Sequence, residues 1–250
     1  MGARAARPPH DAPHARVTAA TLPLAPGRTR LKVCCIASRD EARLAVAHGA
    51  DALGLVSAMP SGPGVIDDAT VAAVAAAVPV PVAAFLLTAR TDAAGLIAQA
   101  TAAGAGTLQL VDAVAHDVLA RVRAALPGVR LVQVIHVLDE ASVAEAAEAL
   151  PHVHALLLDS GNPRLAVKEL GGTGRVHDWA LSRRVRDAAH TAGVPVFLAG
   201  GLRAENVGAA VAAVAPFGLD VCSGVRTDGR LDAAKLAAFA AALAAADGTA

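Results

Sequence analysis

From residue 31 onward the chain alternates short apolar runs with longer segments in which leucine and valine recur at helical spacing. The runs 31–36, 51–56, 82–87, 107–111, 130–137, 153–158, 195–199 and 219–222 are predicted strands. Each is followed by a predicted helix, over 38–48, 68–78, 92–103, 115–126, 140–150, 178–192, 204–214 and 232–246. Ser38 with Glu41 three residues later reads as a capping box opening the first helix, and Pro127-Gly128 stops the fourth. The strands are continuous apolar runs rather than alternating ones, as in a parallel sheet covered on both faces. About eight strand–helix units in one chain is the arithmetic of a closed α/β barrel, the (β/α)8 TIM barrel, in a single domain. The competing fold is an open doubly wound sheet, which usually carries a glycine signature after its first strand. Here Cys35-Ile36-Ala37-Ser38 stands in that place.

Composition narrows the class. The chain has 250 residues, 55% of them hydrophobic, and its 22 Lys+Arg balance 22 Asp+Glu, so nothing points to a nucleic-acid partner. Aromatic residues are 2% and Tyr is absent, which argues against base-stacking surfaces. No apolar run approaches the ~18 residues of a membrane span. The three cysteines, Cys34, Cys35 and Cys222, fit a reducing, cytoplasmic setting better than a disulfide scaffold. No metal-ligand spacing is present; His152 and His154 alone do not make a site. Residues 1–28, rich in Ala, Arg, Pro and His, lack periodicity and read as a disordered extension before a barrel domain over 29–250. Their acid-poor, Arg-rich character resembles a transit peptide, but the prolines oppose an amphipathic helix, and a plain tail is expected.

The chemistry should gather where strands end. Leu156-Leu157-Leu158 runs into Asp159-Ser160, placing a carboxylate at the carboxyl end of the sixth strand, where barrel enzymes keep their sites. Cys34 ends the first strand; by alternation it shares a face with Lys32, while Cys35 should face the helices with Val33. A thiol and a carboxyl across one mouth form an acid–base pair, and Lys32 beneath Cys34 would favour the thiolate. Taken singly, Asp159 could be a turn cap and Cys34 a small apolar core residue. Glycines cluster late, at Gly171-Gly172-Thr173-Gly174, Gly200-Gly201 and Ser223-Gly224, where barrel loops often bind phosphate through backbone N–H groups.

The ordered set Lys32-Val33-Cys34, Gly49-Ala50-Asp51-Ala52-Leu53-Gly54, Leu108-Gln109-Leu110, Leu157-Leu158-Asp159-Ser160, Gly171-Gly172-Thr173-Gly174, Asp178-Trp179, Leu198-Ala199-Gly200-Gly201-Leu202, Glu205-Asn206-Val207 and Asp220-Val221-Cys222-Ser223-Gly224-Val225 resembles phosphoribosylanthranilate isomerases of tryptophan biosynthesis. The resemblance runs from about residue 32 to 239. It implies a (β/α)8 barrel and a cofactor-free Amadori rearrangement of an N-linked aminoaldose phosphate to an aminoketose. By this resemblance Asp159 is the general acid on the ring oxygen and Cys34 the general base at C2′. Lys32, Gln109, Gly172, Gly174, Asp178, Gly200, Gly201, Ser223 and Gly224 would contact substrate or its phosphate. The expected partner is a small phosphorylated sugar, with the chain a monomer or homodimer.

The chain departs from the family at four places, one being His177-Asp178-Trp179 where the family often has Phe-Asp-Trp. Cys35 stands where the family has glycine after Lys-Ile-Cys, and Ser61-Gly62-Pro63 replaces Ser-Pro-Arg after the second strand. Gln109-Leu110-Val111-Asp112 replaces Gln-Leu-His-Gly. The lost arginine belongs to the end that binds the anthranilate carboxylate; Arg164, His177 and Arg226 are candidate replacements. A paralogue acting on another phosphosugar, a non-catalytic phosphometabolite-binding barrel, and a Schiff-base aldolase using Lys32, Lys168 or Lys235 are the competing readings.

Overall fold

The computed structural model describes residues 27–165 and 175–248. Eight parallel strands close on themselves in sequence order: β1 (Arg30–Val33), β2 (Ala52–Val56), β3 (Ala83–Thr88), β4 (Thr107–Leu110), β5 (Arg130–His136), β6 (Ala155–Asp159), β7 (Val196–Leu198) and β8 (Gly218–Val221). The ring shuts through β1 and β8, with Lys32 opposite Asp220 and Val33 opposite Val221. The helices are α1 (Arg39–Ala47), α2 (Asp68–Ala75), α3 (Ala93–Ala103), α4 (His116–Ala125), α5 (Ala141–Ala149), α6 (Trp179–Thr191), α7 (Val207–Val214) and α8 (Ala233–Asp247). One element was not anticipated: a hairpin, β9 (Arg226–Thr227) and β10 (Arg230–Leu231), turning at Asp228-Gly229 with both turn residues at positive φ.

Side-chain alternation divides the core into two layers. Leu31, Val33, Leu53, Leu55, Leu156 and Leu158 face outward into the larger cluster shared with the helices. Val132, Val134, Ala155, Leu157, Phe85 and Phe197 fill the barrel itself. Phe197 contacts Phe85 and Phe217 edge-on, at centroid distances of 5.8 and 5.4 Å. A side chain on Gly218 would run into the Phe197 ring at 2.7 Å, so β8 starts with glycine to leave the ring its space.

Helix starts follow capping chemistry. Asp67, Asp92, Asp178 and Asp232 each accept a backbone N–H of the first turn of α2, α3, α6 and α8. Ser38 caps α1 by accepting from Glu41 N, and the Glu41 carboxylate reaches back to Ala37 N, the reciprocal bond the Ser38/Glu41 spacing predicts, one residue further out. At the opposite end of the barrel, Arg28 forks onto Asp51, and Thr29 binds the Asp247 carboxylate through both N–H and hydroxyl. The expected extension over 1–28 lies outside the described residues except for Gly27 and Arg28.

Candidate active site at the barrel mouth

At the carboxyl ends of the strands lies a cavity of about 690 Å³, counting its open solvent side. Cys34, Gln109, Asp159, Gly200, Gly201 and Ser223, six residues expected at the site, all line it. Cys34 and Asp159 come from strands on different sides of the ring and are 6% and 7% exposed. Burial pushes the Asp159 carboxyl up from its ordinary value. The backbone N–H of Ser160 and the charge of His136 pull the other way, and the Asp220 carboxylate adds to the rise. The net direction favours a carboxyl that holds its proton, the state an acid needs.

Lys32 is fully buried, and its Nζ makes an ion pair with Asp220 at 2.8 Å. Burial alone would strip its proton, but Asp220, with Cys34 next, more than compensates, and its pKa is raised. Lys32 therefore lies under Cys34, as alternation implies, yet it does not line the cavity; as a substrate contact it is corrected to an ion below the floor. The same burial and pairing leave no free amine for a Schiff base at Lys32. Lys235 Nζ donates to Arg226 O on the outer face, and Lys168 lies outside the described residues.

Two other expectations change. Asp178 is exposed, accepts from Ala180 N at 2.7 Å to cap α6, and is not part of the cavity wall. Gly224 is a packing glycine rather than a cavity contact: a Cβ there would lie 1.9 Å from Leu202 O, so the β7 and β8 loops meet backbone to backbone. Gly200 and Gly201 both sit at positive φ, and a Cβ on Gly200 would press on His177 Nδ1 and Ser160. Asn206 ties their loop by donating to Gly201 O and accepting from Arg203 N. Gly172 and Gly174 lie outside the described residues.

The alternation argument fails at Cys35. β1 ends at Val33, and Cys35 takes φ 63, the left-handed region. Its side chain turns inward to line the cavity, with its Sγ 2.7 Å from Cys222 Sγ. Arg226 holds this bend in place: its guanidinium donates to Cys34 O and Cys35 O and pairs with Glu41 at 3.2 Å. Arg226 is thus committed to the backbone and does not serve as a carboxylate binder. Arg164 pairs with Asp139 at 2.6 Å on the surface. His177 is neutral at pH 7: burial lowers its pKa to about 4, against the pull of Asp178, and its Nε2 lies 2.7 Å from Ser182 Oγ. None of the three candidates presents a free cation to the cavity. Among the described residues that line it, none carries positive charge.

Sequence reasoning passed over His136. It ends β5 in register with Asp159 and shares the inward face with Val132 and Val134. Only 6% of it is exposed. Its Nε2 lies 3.0 Å from Val111 O; a carbonyl only accepts, so Nε2 carries a proton. Nδ1 is buried without a partner, as is Gln109 Oε1 in the cavity wall. The signal was available, since a histidine two residues beyond Val134 must point into the mouth.

A closed barrel with a thiol, a buried carboxyl held toward its acid form and glycine turns around one mouth has the form of a barrel enzyme's active site. The family model for N-(5′-phosphoribosyl)anthranilate (PRA) isomerase matches residues 31–242. The N-(5′-phosphoribosyl)anthranilate isomerase of Natronomonas pharaonis is 38% identical over 215 residues, covering 84% of this chain and 96% of that protein. The Methanosarcina acetivorans protein of the same name is 32% identical over 238 residues, covering 85% and 92%. The crystal structure of TrpF from Jonesia denitrificans superposes with a TM-score of 0.67 at 29% identity, covering 87% of this chain and 98% of that one. The chain belongs to the N-(5′-phosphoribosyl)anthranilate isomerase family.

Proposed function

We propose that the protein catalyses the Amadori rearrangement of N-(5′-phosphoribosyl)anthranilate to the corresponding 1-deoxyribulose 5-phosphate in tryptophan biosynthesis. The observation that carries this reading is the placement of Cys34 and Asp159 on one cavity, with Asp159 pushed toward its protonated form. Asp159 delivers its proton to the furanose ring oxygen as the C1′–O bond opens. The nitrogen lone pair then forms the C1′=N bond, and Cys34, as a thiolate, removes the proton from C2′. The resulting enol tautomerises to the ketose. Lys32, charged and paired with Asp220, lies beneath Cys34. His136, in register with Asp159 at the end of β5, opposes the burial that raises the Asp159 carboxyl.

Phosphate binding falls to backbone N–H groups at Gly200, Gly201 and Ser223, because the described cavity wall has no cation. Apolar Met59 and Pro63 line the β2–α2 side of the mouth, an apolar surface for the anthranilate ring. No described helix is long and apolar enough to cross a membrane, and the three free thiols fit a reducing compartment such as the cytoplasm.

Ser61-Gly62-Pro63, standing where the family has Ser-Pro-Arg, favours a second reading, a paralogue whose phosphosugar lacks the carboxylate. Turnover of N-(5′-phosphoribosyl)anthranilate, followed by loss of its fluorescence, separates the two. The first reading expects kcat/KM of at least ~10⁴ M⁻¹s⁻¹, in the ordinary enzyme range. Turnover only of the aniline analogue, which lacks the carboxylate, would select the paralogue.

A further inference from the structure

The mouth holds a pair of thiols that the isomerase chemistry does not use. Cys35 follows β1 and Cys222 follows β8, the two strands that close the barrel, and their sulfurs lie 2.7 Å apart. Both are free, and both line the cavity. We propose that Cys35 and Cys222 form a peroxide-reactive dithiol whose oxidation to a disulfide closes the mouth beside Cys34.

Their surroundings divide the labour. The shared hydrogen bond draws the Cys222 thiol below its ordinary pKa; burial opposes this, and the Arg226 guanidinium reinforces it. Cys35 is pushed the other way by its bonds to Cys222 and Cys34 and by burial. Of the two, Cys222 therefore gives up its proton more readily and Cys35 holds its own, as an attacking and a resolving sulfur require. The Cys222 thiolate attacks one oxygen of hydrogen peroxide. An S–O bond forms, the O–O bond breaks, and the hydroxide released takes up a proton to leave as water. The Cys35 sulfur then attacks the sulfenic sulfur; the S–S bond forms, the S–O bond breaks, and the second water leaves with the Cys35 proton. Two thiols lose two electrons and one peroxide gains them.

Closure of the bond keeps the existing strand pairing, because β1 and β8 already run side by side. It fixes the residue directly after Cys34, whose carbonyl shares the Arg226 guanidinium with that of Cys35. Oxidation should therefore stiffen the cavity wall beside Cys34 and slow turnover. The effect on turnover rests on the isomerase reading; the reactivity of the pair does not.

The test uses the reduced full-length chain, a few equivalents of hydrogen peroxide at neutral pH, alkylation in denaturant and tryptic mass spectrometry. Peptides 33–39 and 204–226 should appear joined, about 2 Da below their summed mass, with the alkyl group on Cys34. The link should persist in Cys34→Ser and vanish in Cys35→Gly, whose glycine suits the positive φ. Wild-type turnover should fall about tenfold or more and return with dithiothreitol as the joined peptide disappears. Alkylation of all three cysteines, or a link through Cys34, would overturn the pair. A joined peptide with unchanged turnover would overturn the closing of the mouth. A chain that turns over no phosphosugar but yields the joined peptide would leave the dithiol standing and remove the isomerase reading.

Discussion

Replacing Lys32 by Met tests the buried ion pair that underlies the site. Lys32 is fully buried, and its Nζ sits 2.8 Å from an Asp220 carboxylate whose side chain is 7% exposed. Methionine keeps the length of the stem but leaves Asp220 buried without its partner. Breaking one side of such a pair costs about 3–5 kcal/mol. At a urea slope of ~3 kcal/mol/M, the unfolding midpoint should drop by about 1–1.7 M. The pH dependence adds a second signature. The folded chain holds the Lys32 proton more tightly than the unfolded chain does, so the pair's contribution is complete below the ordinary lysine value of 10.5 and is lost only as pH rises through the raised folded value. Wild type thus gains no pH slope from Lys32 near neutrality. Adding Asp220→Leu should restore much of the loss, because an apolar pair can replace a buried ion pair at little cost. A loss below ~1 kcal/mol in the single variant would refute the buried pairing.

Other outcomes follow from the same geometry. Gly224→Ala places a Cβ 1.9 Å from Leu202 O and should lower stability by about 1–3 kcal/mol or more, read from the urea midpoint; a neutral result would mean the two loops do not meet as described. Inorganic phosphate or ribose 5-phosphate should raise Tm by mass action, and Gly201→Val, at φ 62, should remove the shift; phosphosugars that never move the melting curve would refute the cup. His154 and His177 both have pKa values lowered to about 4, chiefly by burial. Between about 6.5 and 4 the unfolded chain binds protons that the folded one refuses, so stability should fall as pH drops through that window. A flat urea midpoint over that range would show both rings are solvated.

The strand–helix alternation was legible in full, because continuous apolar strands and amphipathic helices are local signals. So was the facing of Cys34 and Asp159, since both lie within or just past regular strands. Cys35 was not. Alternation holds only while the backbone stays extended, and the turn to φ 63 is gripped by Arg226, far away in sequence. The same distance hid the bond between Glu41 and Arg226 and the pairing of Lys32 with Asp220. The β9–β10 hairpin did carry a local signal, Asp228-Gly229 between short strands, that was outweighed by its brevity. Asp178 and Gly224 looked functional because glycines and acids after strands serve both chemistry and packing; only the Cβ clash at Gly224 and the capping bond of Asp178 separate the two.

The central claim is that Asp159 and Cys34 act as acid and base, and steady-state kinetics of Asp159→Asn and Cys34→Ser with N-(5′-phosphoribosyl)anthranilate test it most directly. Each variant should unfold as cooperatively as wild type, keep KM within a few-fold, and lose about 10²–10⁴ in kcat, the range for removal of a general acid or base. A folded Asp159→Asn or Cys34→Ser enzyme turning over at the wild-type rate would contradict the assignment.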